Sequence, residues 1–219
     1  MKRLVLDGVM LILFFLVMCF AYLPRLMHEV LGVALPLAVL LHLYCNRAWF
    51  SSLRHGRLTR ARIASTLINI LLIVVTVAVI VTGLCISNYL VKDIIPLAWQ
   101  RNIFLHQLHV SLPYAWLILL GLHTGLHWPG LWGRLSAKIS VGTAARIGRR
   151  LAWCAVPVVV AVGIYGSFLH RIGDRLLLKH IFHTPALEHN FGIYLLLLWG
   201  VFGLYVTVGF ALTKLWQKK

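Results

Sequence analysis

Six apolar stretches dominate this 219-residue chain: approximately residues 4–23, 27–45, 65–87, 105–127, 151–169 and 191–213. Each is about as long as a helix must be to cross a bilayer core, which takes about 20 apolar residues. The runs are continuous, whereas barrel strands alternate polar and apolar residues, so the expected fold is an all-α integral membrane protein with six transmembrane helices. Hydrophobic residues make up 61% of the chain, above the roughly half that a soluble domain carries. The connecting segments are too short to fold alone. The first stretch has the basic start of a leader, but its apolar run is long and no clean small-x-small site follows it. It is therefore expected to be a retained helix, a cleaved leader being the alternative.

Charge orients the spans. Fifteen of the 21 Lys and Arg residues fall on one side if the six spans alternate. They are Lys2 and Arg3, the loop from Arg47 to Arg62, the loop from Arg134 to Arg150, and Lys214, Lys218 and Lys219. The other side collects Arg25, Lys92, Arg101, Arg171, Arg175 and Lys179 together with Glu29, Asp93, Asp174 and Glu188. This is the positive-inside pattern and places both termini in the cytoplasm, with the chain multi-pass in the cell's inner membrane. The net charge of +16 is thus topological; membrane lipids are its partner and no nucleic acid is expected. Cys19, Cys45, Cys85 and Cys154 show no paired spacing and read as small packing residues.

Within the spans the informative residues are histidines. "HEVLGVALPLAVLLH" runs from His28 to His42, and "HVSLPYAWLILLGLH" from His109 to His123. Fourteen helical steps fall about 40° short of four turns and advance about 21 Å, so both members of a pair share a face at opposite ends of a span. One span separates the two, so they run parallel. His109 then comes level with His28, and His123 with His42. Opposed imidazoles at two depths suit two stacked haems, with these four residues as the metal ligands. A lone intramembrane histidine often only hydrogen-bonds a neighbouring carbonyl, and it is the matched repetition that argues for ligation. A bare metal wants its ligands at one depth. A proton relay wants buried carboxylates, and these spans hold only Asp7 and Glu29.

His127 ranks second as a ligand on the fourth span, because pairing it with His109 breaks the matched depth interval. With His106 it reads as a boundary residue that bonds propionates, headgroups or water. Gly32 and Gly121, with Gly83 and Gly125, would let a flat macrocycle approach the backbone, or serve ordinary helix packing. Arg25 and Arg101 near one pair, and Arg47 near the other, offer propionates cationic partners, or snorkel to the interface. His170, His180, His183 and His189 read as a solvated or interfacial face.

"HEVLG" at 28–32, "HLYCNRAW" at 42–49 and "LHQLH…LHTGLHW" at 105–128 resemble the flavinylation-associated cytochromes, within the two-haem, bis-histidine membrane cytochromes b. Asn46, Trp49 and the doublet His106/His109 carry part of the likeness, which covers roughly residues 5–130. The resemblance implies a di-haem core over 1–130 with four transmembrane helices. Residues 131–219 then add two transmembrane helices joined by an extracytoplasmic segment. It also implies two haem b cofactors held by His28, His42, His109 and His123, and electron transfer with an extracytoplasmic FMN-binding, flavinylated partner. FMN is expected only on that partner. The histidine-rich segment 170–189 departs from the pattern. Two other readings are a haem anchor for a hydrogenase or dehydrogenase, with quinone as a further reactant, and a small transporter or metal permease. Whether the chain oxidises a quinol itself, and so counts as an enzyme, is not encoded in these motifs.

The charge pattern generates a direct expectation. A reporter fused after Lys219 should be active only in the cytoplasm, and one inserted near residue 95 only outside; the reverse result would invert the topology.

Overall fold

The structure, a computed structural model, is described for residues 2–55, 57–136, 143–179 and 183–217. Lys138, His180, Lys218 and Lys219 lie outside these residues, as do the side chains of Lys2, Arg134, Arg146, Arg149 and Arg150. Every regular element described is helical. Six long helices account for the apolar stretches: α1 (Lys2–Met18), α2 (Arg25–Cys45), α3 (Arg60–Cys85), α4 (Ile103–Ser136), α5 (Thr143–Leu169) and α6 (Phe191–Gln217).

Among the described residues, four of these helices are long and apolar enough to cross a membrane, namely α2, α3, α4 and α6. α5 contributes a shorter apolar stretch, Cys154–Leu169. α1 has 17 residues. It stops before the expected residue 23 because a 3-10 turn, Phe20–Tyr22, and then Pro24 redirect the chain into α2. Large apolar side chains such as Leu37, Leu40, Val74 and Phe168 are exposed. The arrangement fits a multi-pass membrane protein, whose outer faces meet lipid rather than water.

Local chemistry sets the helix starts. Thr59 accepts from the Arg62 N–H at 3.3 Å at the start of α3. Asn102 accepts from the Leu105 N–H at 3.1 Å at the start of α4, and Asn190 from the Ile193 N–H at 3.0 Å at the start of α6. Each satisfies an amide that the first turn leaves without a partner.

α4 packs most closely on α6, α6 on α5, and α3 on α4; α1 packs on α2, and α2 meets α3. α1 closes the ring by reaching α4 and α6 through aromatic side chains. Phe14 lies edge-on to Trp116 with ring centres 5.1 Å apart, and Phe15 stacks on Trp199 at 4.0 Å. α1 to α4 therefore form a four-helix ring in which α2 and α4 stand diagonally, while α6 and α5 buttress its α4 side.

The α4–α6 contact is close because glycines line it. A Cβ on Gly209 would stand 2.6 Å from the Leu122 carbonyl oxygen and 3.1 Å from the Gly125 Cα. Small residues of this kind let membrane helices approach backbone to backbone. Gly209→Leu should therefore lower the thermal midpoint in detergent, by the equivalent of about 1–3 kcal/mol of overpacking. Gly8→Ala has nothing within 4 Å of the new atom and should hold the midpoint or raise it slightly, because alanine also favours the helix. Equal melting of the two variants would show that the close contact carries no stability.

Candidate functional site

The space between α2 and α4 holds the four expected histidines. His28 sits one turn into α2 and His109 two turns into α4, and their ring centres are 6.2 Å apart with planes at 86°. The two backbones are not in close contact here, so the imidazoles reach toward each other across a gap. Metal–imidazole bonds are about 2 Å long and the ring centre lies roughly 1 Å further, so two imidazoles on opposite sides of one metal atom have centres about 6 Å apart. At the other end His123 has His42 and Asp7 as electrostatic neighbours. α2 and α4 are thus parallel, with one histidine pair at each end.

Neighbouring helices fix the ring nitrogens. His109 Nδ1 lies 3.2 Å from the Val79 carbonyl oxygen and 3.3 Å from Thr82 Oγ1 on α3. His42 Nδ1 lies 2.9 Å from Asp7 Oδ1 on α1, and His123 Nδ1 lies 2.8 Å from Asn69 Oδ1 on α3. These partner oxygens are acceptors, so Nδ1 carries the proton and donates in each case. Nε2 is left with a free lone pair. A hydrogen bond that pins the tautomer and aims the other nitrogen is what metal-binding histidines need. His28 is the exception, since its buried Nδ1 has no hydrogen-bond partner, although the Val17 carbonyl is near. Gly83 supplies the seat of His109, because a Cβ there would stand 2.8 Å from the ring's Cε1.

Glu29, next to His28, makes a clamp. Its carboxylate accepts from Ser87 Oγ at 2.8 Å and from the backbone N–H groups of Asn88 (2.8 Å), Tyr89 (3.3 Å) and Leu90 (2.9 Å). The end of α3 is thereby tied to the start of α2. Asn69, Thr82, Val79 and the clamp function of Glu29 are absent from the sequence reading. A polar residue inside an apolar run was the available signal for Asn69, Thr82 and Glu29.

The remaining expected site residues divide. Gly32 borders open space, while a Cβ on Gly121 would meet Tyr205 Cβ at 2.7 Å, so that glycine serves the α4–α6 contact. Arg25 and Arg101 are exposed. Arg47 lies over the Tyr44 ring at 4.8 Å and, with Arg3, lines a cleft at the His42 end. His106 Nε2 donates to the Gln100 carbonyl oxygen at 2.9 Å. His127 lies 4.7 Å from the His123 ring, centre to centre, and its Nε2 is 3.2 Å from Ser65 Oγ.

His170 departs from the expected solvated face: it is fully buried. Tyr114 Oη is 3.3 Å from its Nδ1 and the Tyr194 ring packs on it at 4.9 Å. Buried Arg175 donates Nε–H to the His170 carbonyl oxygen at 3.1 Å and stacks on Tyr114 at 4.6 Å. The aromatic residues of α4 and α6 shield this turn, which its own polar sequence does not reveal. Nearby, the Lys179 ammonium and the Arg171 guanidinium hold the Asp174 carboxyl below the usual carboxylate range. His183 is exposed, 3.8 Å from Glu188, and the His189 carbonyl accepts from Tyr22 Oη at 2.6 Å.

No protein-family model, curated protein or solved structure matches the chain. Among the described residues, no three His, Cys, Asp or Glu side chains gather as they would around a bare metal ion. The histidines come instead as one facing pair, His28 and His109, and a second set of neighbours, His42 and His123.

The clamp makes a prediction that needs no ligand. Glu29→Gln removes the charge that strengthens these bonds, so the amides of Asn88 and Leu90 should exchange with solvent about fivefold faster, since charged bonds exceed neutral ones by about 1 kcal/mol. Unchanged exchange would mean that the 87–90 turn is held by something else.

Proposed function

We propose that this chain is a six-span membrane cytochrome b of the cell's inner membrane, with both termini cytoplasmic and two b-type haems between α2 and α4. The observation that carries the reading is the 6.2 Å separation of the His28 and His109 rings, with His42 and His123 as electrostatic neighbours at the other end of the same two helices, about 21 Å further along. His28 and His109 hold the outer group, and His42 and His123 the inner one. When bound, haem supplies a one-electron iron couple. The chain's own part is to present Nε2 from both sides, to fix each ring from α1 or α3, and to keep water out with the apolar faces of the four-helix ring. The open side of Gly32 leaves room for a flat ring, and Arg47 with Arg3 offers cations to carboxylates at the inner end. The resemblance of residues 5–130 to the flavinylation-associated cytochromes supports an extracytoplasmic FMN-bearing protein as the redox partner.

The test is the reduced-minus-oxidised spectrum of the purified chain, with haem counted per polypeptide and the four ligand variants compared. Two b-type haems are expected. His28→Ala and His109→Ala should each remove, or leave five-coordinate, one component, and His42→Ala and His123→Ala the other. His106→Ala and His127→Ala should keep both components. Colourless protein would end the reading, and pairing of His28 with His123 would require antiparallel spans.

A further inference from the structure

The four imidazoles differ in what holds Nδ1. His109 has a backbone carbonyl, His123 a side-chain amide, and His28 no partner, whereas His42 has the carboxylate of Asp7 at 2.9 Å. Asp7 is the one acidic residue of the first helix, which is apolar from Gly8 onward, and is 37% exposed, against 26% for His42. A carboxylate within an apolar span is costly and is kept there only with a partner. Among the described residues, the His42 N–H is the one hydrogen bond that Asp7 receives.

We infer that Asp7 is a positioning residue for the inner haem and makes it the lower-potential centre of the two. The inference rests on the two-haem reading above. The carboxylate accepts the Nδ1 proton of His42, so Nε2 is the nitrogen left to ligate. Through that shared proton it gives the imidazole partial imidazolate character. A more anionic ligand stabilises the ferric over the ferrous state, because oxidation places one more positive charge at the iron beside it. His123, which would be the second ligand of that haem, is tethered by the neutral Asn69 and adds no such charge. At the outer pair neither ring bonds a carboxylate: Glu29 is adjacent to His28 in sequence, but its oxygens are taken by Ser87 and the 88–90 amides. Both sites draw their histidines from the same two helices, and what sets the rings apart is the direct carboxylate bond at His42, since Glu29 reaches His28 only through space.

The experiment is a spectroscopic redox titration of the whole chain and of Asp7→Asn and Asp7→Glu. Asn still accepts from His42, as Asn69 does from His123, but carries no charge. Asp7→Asn is expected to keep both haems and to shift upward the midpoint of the component that His42→Ala abolishes, leaving the other in place. Asp7→Glu should return the midpoint toward that of the unaltered chain. The inference is overturned if neither midpoint moves in Asp7→Asn, or if the component that moves is the one His28→Ala abolishes. Should Asp7→Asn shed the inner haem, Asp7→Glu decides: recovery of the haem with its low midpoint supports the carboxylate's role, and no recovery overturns it. Absence of haem from the unaltered chain is a different result, and it overturns the two-haem reading itself.

Discussion

An imidazole placed among apolar helices has two nitrogens to account for, and hydrocarbon supplies partners for neither. That constraint organises the ring of α1 to α4. Three of the four central histidines satisfy Nδ1 on a flanking helix, through Asp7 on α1 and through Asn69 and Val79 on α3. The flanking helices are therefore more than walls. They decide which nitrogen each imidazole presents to the space between α2 and α4, and a shift of α1 or α3 along its axis would disturb the rings as well as the packing.

The two histidine-bearing helices are held by different physics. α4 is fixed along its length by glycine-lined contact with α6, where dispersion between closely approaching backbones does the holding. α2 lacks such a contact and is pinned near its ends. Glu29 ties its start to the turn after α3, and Asp7 meets its last turn through His42. One rigid wall and one pinned wall leave a gap of defined width between them. The buried cluster of Tyr114, His170, Arg175 and Tyr194 belongs to the rigid side, sealing the end of α4 against α5 and α6.

Much of this was legible in the chain itself. The fixed rise of a helix turns a spacing of fourteen into a separation and a shared face, so the level pairing of His28 with His109 needed only the parallel direction of the second and fourth runs. Helix ends were read less well. α4 begins at Ile103 and extends to Ser136, and α5 begins at Thr143, well beyond the apolar runs that announced them. Apolar length measures the part of a helix that lipid can cover, not the part that hydrogen bonds can sustain. The tethers were illegible for another reason. Whether Asp7 meets His42, or Gly121 meets α6 rather than the central gap, depends on which helix stands beside which. A single sequence without a packing arrangement does not contain that. His170 makes the same point from the opposite side: a polar turn looks solvated until Tyr114 and Tyr194 are brought over it.

Two charge patterns act in opposite senses at the His42 end. The arginines of the 46–62 loop follow it in the chain and disfavour additional positive charge, whereas Asp7 favours it. Distance and medium decide between them. The arginines of the 46–62 loop whose side chains are described are exposed, apart from the partly covered Arg62, and charges in water are largely screened beyond about 8 Å at physiological ionic strength. Asp7 is hydrogen-bonded to the His42 ring in a partly apolar setting, where the effective dielectric is several-fold below that of water and the interaction correspondingly stronger. Asp7 is the charge in direct contact with His42, and it distinguishes this end of the helix pair from the other, where neither ring bonds a carboxylate.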